Sequence, residues 1–336
     1  MAISTHRGIQ EPVVHLAQTS DGLSEAVAEL LSGHVPVGRI GDHLYANGGA
    51  KRFQLATQDT TYAHHFRSEE GLIQAHAQDL ADLAKGYEDF IVIGPGPAHA
   101  LENKEMQVIA ALLRNPDASL KRIHAIELSK EFARNTAGVF ADRLPHLDTG
   151  RILEDAIVHT ANFREIKPFC ANAFVMCTGS LLNLDAANLN AFPSEQMKSH
   201  LRDFARVAGQ EGMVCLGYDA SQDKERLLQA YKTDEVAAFL LHPLERVGLK
   251  DYFSYEPEFN ADAHMLIHHW KALSQLEVHY NGNVINIFPG SKFPALISAK
   301  PDPYPLSVLA GSAGMTSEQL YRSPSQDYCL HTFRCA

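Results

Sequence analysis

Between residues 69 and 220 the apolar positions follow two rhythms. Short continuous runs, Phe90–Ile93, Ile123–Leu128, Ala173–Thr178 and Met213–Tyr218, read as strands buried on both faces. Between them lie stretches with helical spacing. Glu69–Gly86 places Leu72, Ile73, His76, Leu80, Leu83 and Ala84 on one face. Met106–Leu113 and Glu131–Phe140 follow, and Ser194–Ala208 aligns Met197, Leu201, Phe204 and Ala208. A further strand edge is expected at Arg151–Asp155. Strand and helix in alternation predict an α/β fold with a parallel sheet covered on both faces. The pattern changes later in the chain. Leu276–Phe288 forms two alternating runs around Asn281-Gly282, the signal of an antiparallel hairpin. A second domain or a large insertion therefore accompanies the parallel core.

Ligands of open parallel sheets sit at the carboxyl ends of the strands. Here those ends carry Gly94–Ala98, Glu127, Asp155, Thr178–Asn183 and Asp219. Gly94 and Gly96 let backbone approach a ligand closely. Glu127, one β-α-β unit later, can accept hydrogen bonds from two ribose hydroxyls. Pro95 and Pro97 remove amide donors, and the third glycine of a dinucleotide fingerprint is absent. Such a loop cradles pyrophosphate poorly, which favours S-adenosylmethionine (SAM) over NAD. Asp155 is a candidate partner for an adenine amino group, and Thr178 a further cofactor contact.

Composition narrows the class. Hydrophobic residues make up 45% and charged residues 21% of the 336, as in an ordinary globular protein. The net charge of −11, with no basic cluster, argues against a nucleic-acid groove. No apolar run approaches membrane-spanning length, and no apolar signal core follows the first residues. The five cysteines form no C-x-x-C pair and no disulfide framework, which suits a reducing cytoplasm. The adjacent pairs His64-His65 and His268-His269 point in different directions, so no metal is expected.

Four motifs recur in order: Cys177-Thr178-Gly179-Ser180-Leu181-Leu182-Asn183-Leu184, Leu216-Gly217-Tyr218-Asp219, Leu227–Val236, and Gly290-Ser291-Lys292-Phe293. In these the chain resembles the histidine-specific SAM-dependent methyltransferases. The founding member of that family trimethylates the α-amine of L-histidine in ergothioneine biosynthesis, and fungal relatives methylate tryptophan-type amines. The resemblance runs from about Tyr45 to the C-terminal tail. It implies a Rossmann-like domain (68–220 plus 291–336) and a smaller α+β domain (15–67 plus 221–290), with the acceptor between them. It also implies a monomer that releases S-adenosylhomocysteine.

Carried over residue by residue, the resemblance places Asn183 and Tyr231 on the substrate carboxylate and Tyr45 near the amine. Phe53 and Tyr62 lie beside them. The family's Thr-Glu-x-Ser stretch before Lys-Phe, which grips imidazole, aligns with Ile287-Phe288-Pro289-Gly290 before Ser291-Lys292-Phe293. Phe288 then replaces the glutamate, Gly290 the serine, and His268 a nearby methionine. Loss of a carboxylate partner leaves imidazole nitrogens unpaired. The expected acceptor is thus an amino acid other than histidine, or a related small metabolite, with an apolar or aromatic side chain whose polar tip, if any, meets His268. Two other expectations compete. One is an O- or C-methyltransferase using His268 as base. The other is a non-catalytic SAM-binding protein, motivated by Val92-Ile93 where the family has an acidic residue before the glycines.

Overall fold

The computed structural model describes residues 12–33, 38–147, 153–179 and 189–336. Its first part holds β1 (Val13–His15) and helices α1 (Leu23–Leu31), α2 (Gly38–Leu44), α3 (Gly49–Gln58), α4 (Ala63–Ala75) and α5 (Ala77–Ala84). The α/β core follows as β2 (Asp89–Ile93), α6 (Ala98–Asn103), α7 (Glu105–Arg114), β3 (Arg122–Glu127), α8 (Lys130–Arg143), β4 (Asp155–Thr160), β5 (Phe174–Thr178), α9 (Ser194–Ala208) and β6 (Met213–Asp219). Next come α10 (Lys224–Tyr231), α11 (Asp234–Leu240), α12 (His242–Arg246), β7 (Phe253–Asn260), β8 (Met265–Ala272), β9 (Leu276–Tyr280), β10 (Asn283–Ile287) and β11 (Lys292–Ala299). α13 (Pro303–Ser312), β12 (Met315–Arg322) and β13 (Tyr328–Cys335) return to the core.

The core sheet has the order β12-β13-β6-β5-β2-β3-β4. β2 to β6 are mutually parallel, and β13 runs antiparallel to both its neighbours. Successive strand residues point to opposite faces. Phe90, Val92, Ile123 and Ala125 meet Leu80, Leu112 and Val139 of α5, α7 and α8. Ile91, Ile93, Ile126 and Val175 meet Met197, Leu201 and Phe204 of α9 and Leu306 of α13. Fully burying a side chain of this size contributes about 1.5–3 kcal/mol, which is why the central positions of these strands are mostly apolar. The chain leaves β2 for β3 on one side, while β5 lies on the other. That reversal opens a crevice at the carboxyl ends.

The second unit has two three-stranded sheets, β1-β9-β10 and β11-β8-β7. The hairpin expected at Asn281-Gly282 is present, with φ of 50° and 80° at its two central residues. Leu23, Val27 and Leu30 of α1 pack with Trp270, Val278 and Ile287, and Trp270 Nε1 donates to the Leu240 carbonyl at 2.9 Å.

Three expectations change. The helix over 69–86 is two helices, because His76 leaves helical geometry (φ −114°, ψ 15°) and packs its ring on Tyr321. The fourth strand begins rather than ends at Asp155, which pairs with Arg122 at the amino end of β3. β11 pairs along β8, so the chain rejoins the core only after Ala299, not at 291.

Candidate active site

After Ile93 the chain turns through Gly94 and Gly96, whose φ values of 64° and 71° disfavour side chains. The Gly94 N–H donates to the Ile126 carbonyl at 2.9 Å. The Gly96 N–H donates to Glu127 Oε2 at 3.2 Å, and the Ser129 N–H to Oε1 at 2.8 Å. Ser129 also caps α8, accepting from the Phe132 N–H at 3.4 Å. Burial pushes the Glu127 carboxyl upward, while hydrogen bonds from Ser129, Gly96 and Leu128 oppose that rise. A carboxylate is thereby fixed against the glycine turn at the end of β3. At the end of β5, the Thr178 hydroxyl donates to Glu105.

A cavity of about 350 Å³ joins this turn to an aromatic wall from the second unit. Gly94, Gly96, Glu127 and Thr178 line one end, and Tyr45, Phe53, Tyr62, Tyr231 and His268 the other. Tyr45 follows α2 on a turn held by His242, whose Nε2 donates to the Ala46 carbonyl at 3.1 Å. Its ring centre lies 5.3 Å from Phe53, 5.3 Å from Phe239 and 5.9 Å from Phe132, distances suited to edge-on aromatic contact. Burial raises the Tyr45 phenol well above its ordinary range, with Tyr62 and Glu127 adding to the effect, so it keeps its proton. Tyr62 and Tyr231 meet edge to face at 5.1 Å, and burial raises both phenols.

His268 is buried, and its Nδ1 lies 2.7 Å from the Tyr255 hydroxyl. Burial first, then the nearby Lys300 and His269, bring its pKa down to about 3. The imidazole is therefore neutral near pH 7.

Most of the expected residues converge: Gly94, Gly96, Glu127, Thr178, Tyr45, Phe53, Tyr62, Tyr231 and His268 share one cavity. Asn183 lies outside the described residues. Three assignments are corrected. Asp155 sits exposed at the amino end of β4, across the sheet from the crevice. The carboxyl end of β4 instead leads to Asn162 and Phe163, which line the cavity. Phe288 is 58% exposed and Gly290 is exposed with it, both in the turn before β11, away from the cavity. Their place is taken by Leu296 and Ser298 of β11, with Leu296 paired across the ladder to His268.

A family model described as histidine-specific methyltransferase, SAM-dependent, matches residues 25–335. The chain belongs to that family. No curated protein matches it significantly. Among solved structures it is similar to the CcbJ methyltransferase from Streptomyces caelestis, with 13% identity, 80% of this chain and 90% of that chain covered, and a TM-score of 0.43. The SAH-bound magnesium protoporphyrin IX methyltransferase from Synechocystis has 10% identity, 89% and 99% coverage and a TM-score of 0.46. The Burkholderia thailandensis 1,6-didemethyltoxoflavin-N1-methyltransferase has 10% identity, 94% and 88% coverage and a TM-score of 0.38.

The chain is thus a SAM-dependent methyltransferase, and its crevice suits that cofactor. A buried carboxylate faces a turn poor in amide donors, which matches a nucleoside without phosphates. Sequence reasoning missed Lys104, which lines the cavity at the glycine end. Burial opposes its charge, but Glu69, 3.5 Å away, and Glu105 outweigh that and hold it above its ordinary range. It also missed Phe132, for which Ser129 three residues earlier was a capping signal. Among the described residues no His, Cys, Asp or Glu cluster forms a metal site, and no helix is long and apolar enough to cross a membrane.

Proposed function

We propose that this methyltransferase N-methylates an amino acid with an apolar or aromatic side chain and does not prefer histidine. The far end of the cavity is the observation that supports this most. Leu240 and Leu296 occupy it together with a neutral His268. Among the described residues that line the cavity, the one carboxylate is Glu127 at the glycine end, so an imidazole placed beside Leu296 finds no acid there and leaves a nitrogen unpaired.

SAM supplies an electrophilic methyl group on its sulfonium. In this reading Glu127 holds the ribose, Asn162 and Phe163 the base, and Lys104 the cofactor's carboxylate. Tyr231, with Asn183, holds the acceptor carboxylate. The neutral Tyr45 phenol accepts a hydrogen bond from the amine and orients it without a tight ion pair, so the nitrogen lone pair stays free. Holding two reactants in line lowers a barrier by about 7–11 kcal/mol, so an amine delivered deprotonated needs no strong base. A His268 whose pKa lies about 3 is a poor base, which counts against O- or C-methylation driven by it.

The test is methyl transfer from isotopically labelled SAM to a panel of amino acids and aromatic amines, read by mass. Label on an apolar or aromatic amino acid, with histidine silent, supports the proposal. Efficient labelling of histidine would overturn the side-chain assignment, and label on oxygen or carbon would overturn N-methylation.

A further inference from the structure

Tyr231 lines the cavity, and an ion pair of buried Lys300 with partly buried Asp219 stands behind it. Lys300, just past β11, is 2% exposed. Its Nζ lies 2.9 Å from Asp219 Oδ2 and donates to the Tyr231 hydroxyl oxygen at 3.3 Å. The ammonium is 5.3 Å from the centre of the tyrosine ring. The pair is held from several directions. Asp219 Oδ1 accepts from the Ser221 N–H at 2.9 Å. The Lys300 N–H donates to the His264 carbonyl at 2.7 Å, and its own carbonyl accepts from Gln222 at 2.7 Å. Lys300 itself does not line the cavity.

An ammonium only donates hydrogen bonds. The Tyr231 oxygen therefore accepts from Lys300, and its single proton points elsewhere. Apolar residues would fill this place without the desolvation penalty of an ion pair. The cation has a use when a second carboxylate is buried on the far side of the phenol. A neutral phenol alone compensates such a charge poorly, whereas one polarised by an adjacent ammonium donates more strongly.

We propose that Lys300 is a positioning residue that acts through Tyr231 to favour acceptors bearing a carboxylate over the corresponding amines. The proposal rests on the amino-acid reading above and extends it to a group that touches no substrate.

The experiment measures binding to the SAH-loaded protein, and methyl transfer by the SAM-loaded protein, for matched pairs: L-phenylalanine and phenethylamine, L-tryptophan and tryptamine, L-leucine and isoamylamine. In the wild type the amino acid is preferred. Lys300→Met raises KM for the amino acid about tenfold or more, leaves kcat within about threefold, and removes most of the preference. Lys300→Arg recovers part of it. Because Lys300 acts through Tyr231, Lys300→Met adds little further loss in a Tyr231→Phe background. Lys300→Met removes the cation beside Asp219, so Lys300→Met/Asp219→Asn is measured beside it to separate misfolding from lost selectivity. A folded Lys300 variant that keeps the wild-type preference, or full additivity with Tyr231→Phe, overturns the assignment of Lys300 alone. A wild type that prefers the amines, or binds no member of any pair, overturns the amino-acid reading and this inference with it.

Discussion

Leu296 and His268 face each other across the β8–β11 ladder at the closed end of the cavity. Leu296→Glu places an acid opposite His268, beside Ser298. We expect kcat/KM for histidine to rise about tenfold or more relative to apolar amino acids, measured as competition between two acceptors in one tube. A folded variant with an unchanged ratio would show that this position does not read the acceptor side chain. Phe288→Ser, in the exposed turn, leaves the ratio as it is.

Glu127 is tied to the glycine turn and to Ser129 by two backbone hydrogen bonds. A hydrogen bond to a charged group is worth about 1.5–3 kcal/mol. Glu127→Gln is therefore expected to weaken S-adenosylhomocysteine binding by about tenfold or more in calorimetry. A loss below about threefold in a folded variant would remove the ribose role.

The end of β4 separates two candidate base contacts. Asn162→Ala is expected to weaken S-adenosylhomocysteine severalfold, because Asn162 lines the cavity. Asp155→Ala is expected to leave the affinity unchanged, since that residue is exposed at the other end of the strand. The reverse order of effects would restore the assignment made from sequence.

His268 predicts a stability profile. Its ordinary pKa of 6.5 falls to about 3 in the folded protein through burial. The unfolded chain therefore takes up this proton at higher pH than the folded one. The contribution to stability is full above pH 6.5 and is lost as the pH falls towards 3. His331, brought down to about 4 by burial, acts in the same direction. In the ligand-free protein, His268→Gln should show a shallower fall of Tm than the wild type between about pH 6.5 and 4.5. Parallel curves would mean that His268 titrates normally in the fold.

The parts of the site legible in the sequence are those built on doubly buried strands. Phe90–Ile93 is apolar throughout and Ile123–Ile126 is interrupted only by His124, so their carboxyl ends, and with them Gly94, Gly96 and Glu127, could be placed from the sequence. β4 is an edge strand with half-buried and exposed positions. Its Asp-Ala-Ile-Val-His-Thr pattern carries no clear period, and the strand end slipped from Thr160 to Asp155. The side-chain pocket failed for another reason. Nothing local marks Phe288 and Gly290 as an exposed turn; the pairing of Leu296 with His268 is a tertiary relationship, and it brings a later part of β11 to the cavity. Lys104 and Lys300 are placed by tertiary contacts, with Glu69 and Asp219, that no local pattern announces.

β1 pairs in parallel with β9, Val13 against Glu277 and His15 against His279. During synthesis the early strand waits, without its partner, until most of the chain has left the ribosome. Such distant pairings slow folding. Tyr45, Phe53 and Tyr62 belong to the early segment, whereas His268, Leu296 and Lys300 come late. The wall formed by His268 and Leu296 is therefore made late, and a chain arrested after β6 can carry the glycine turn and Glu127 yet lack that side of the cavity.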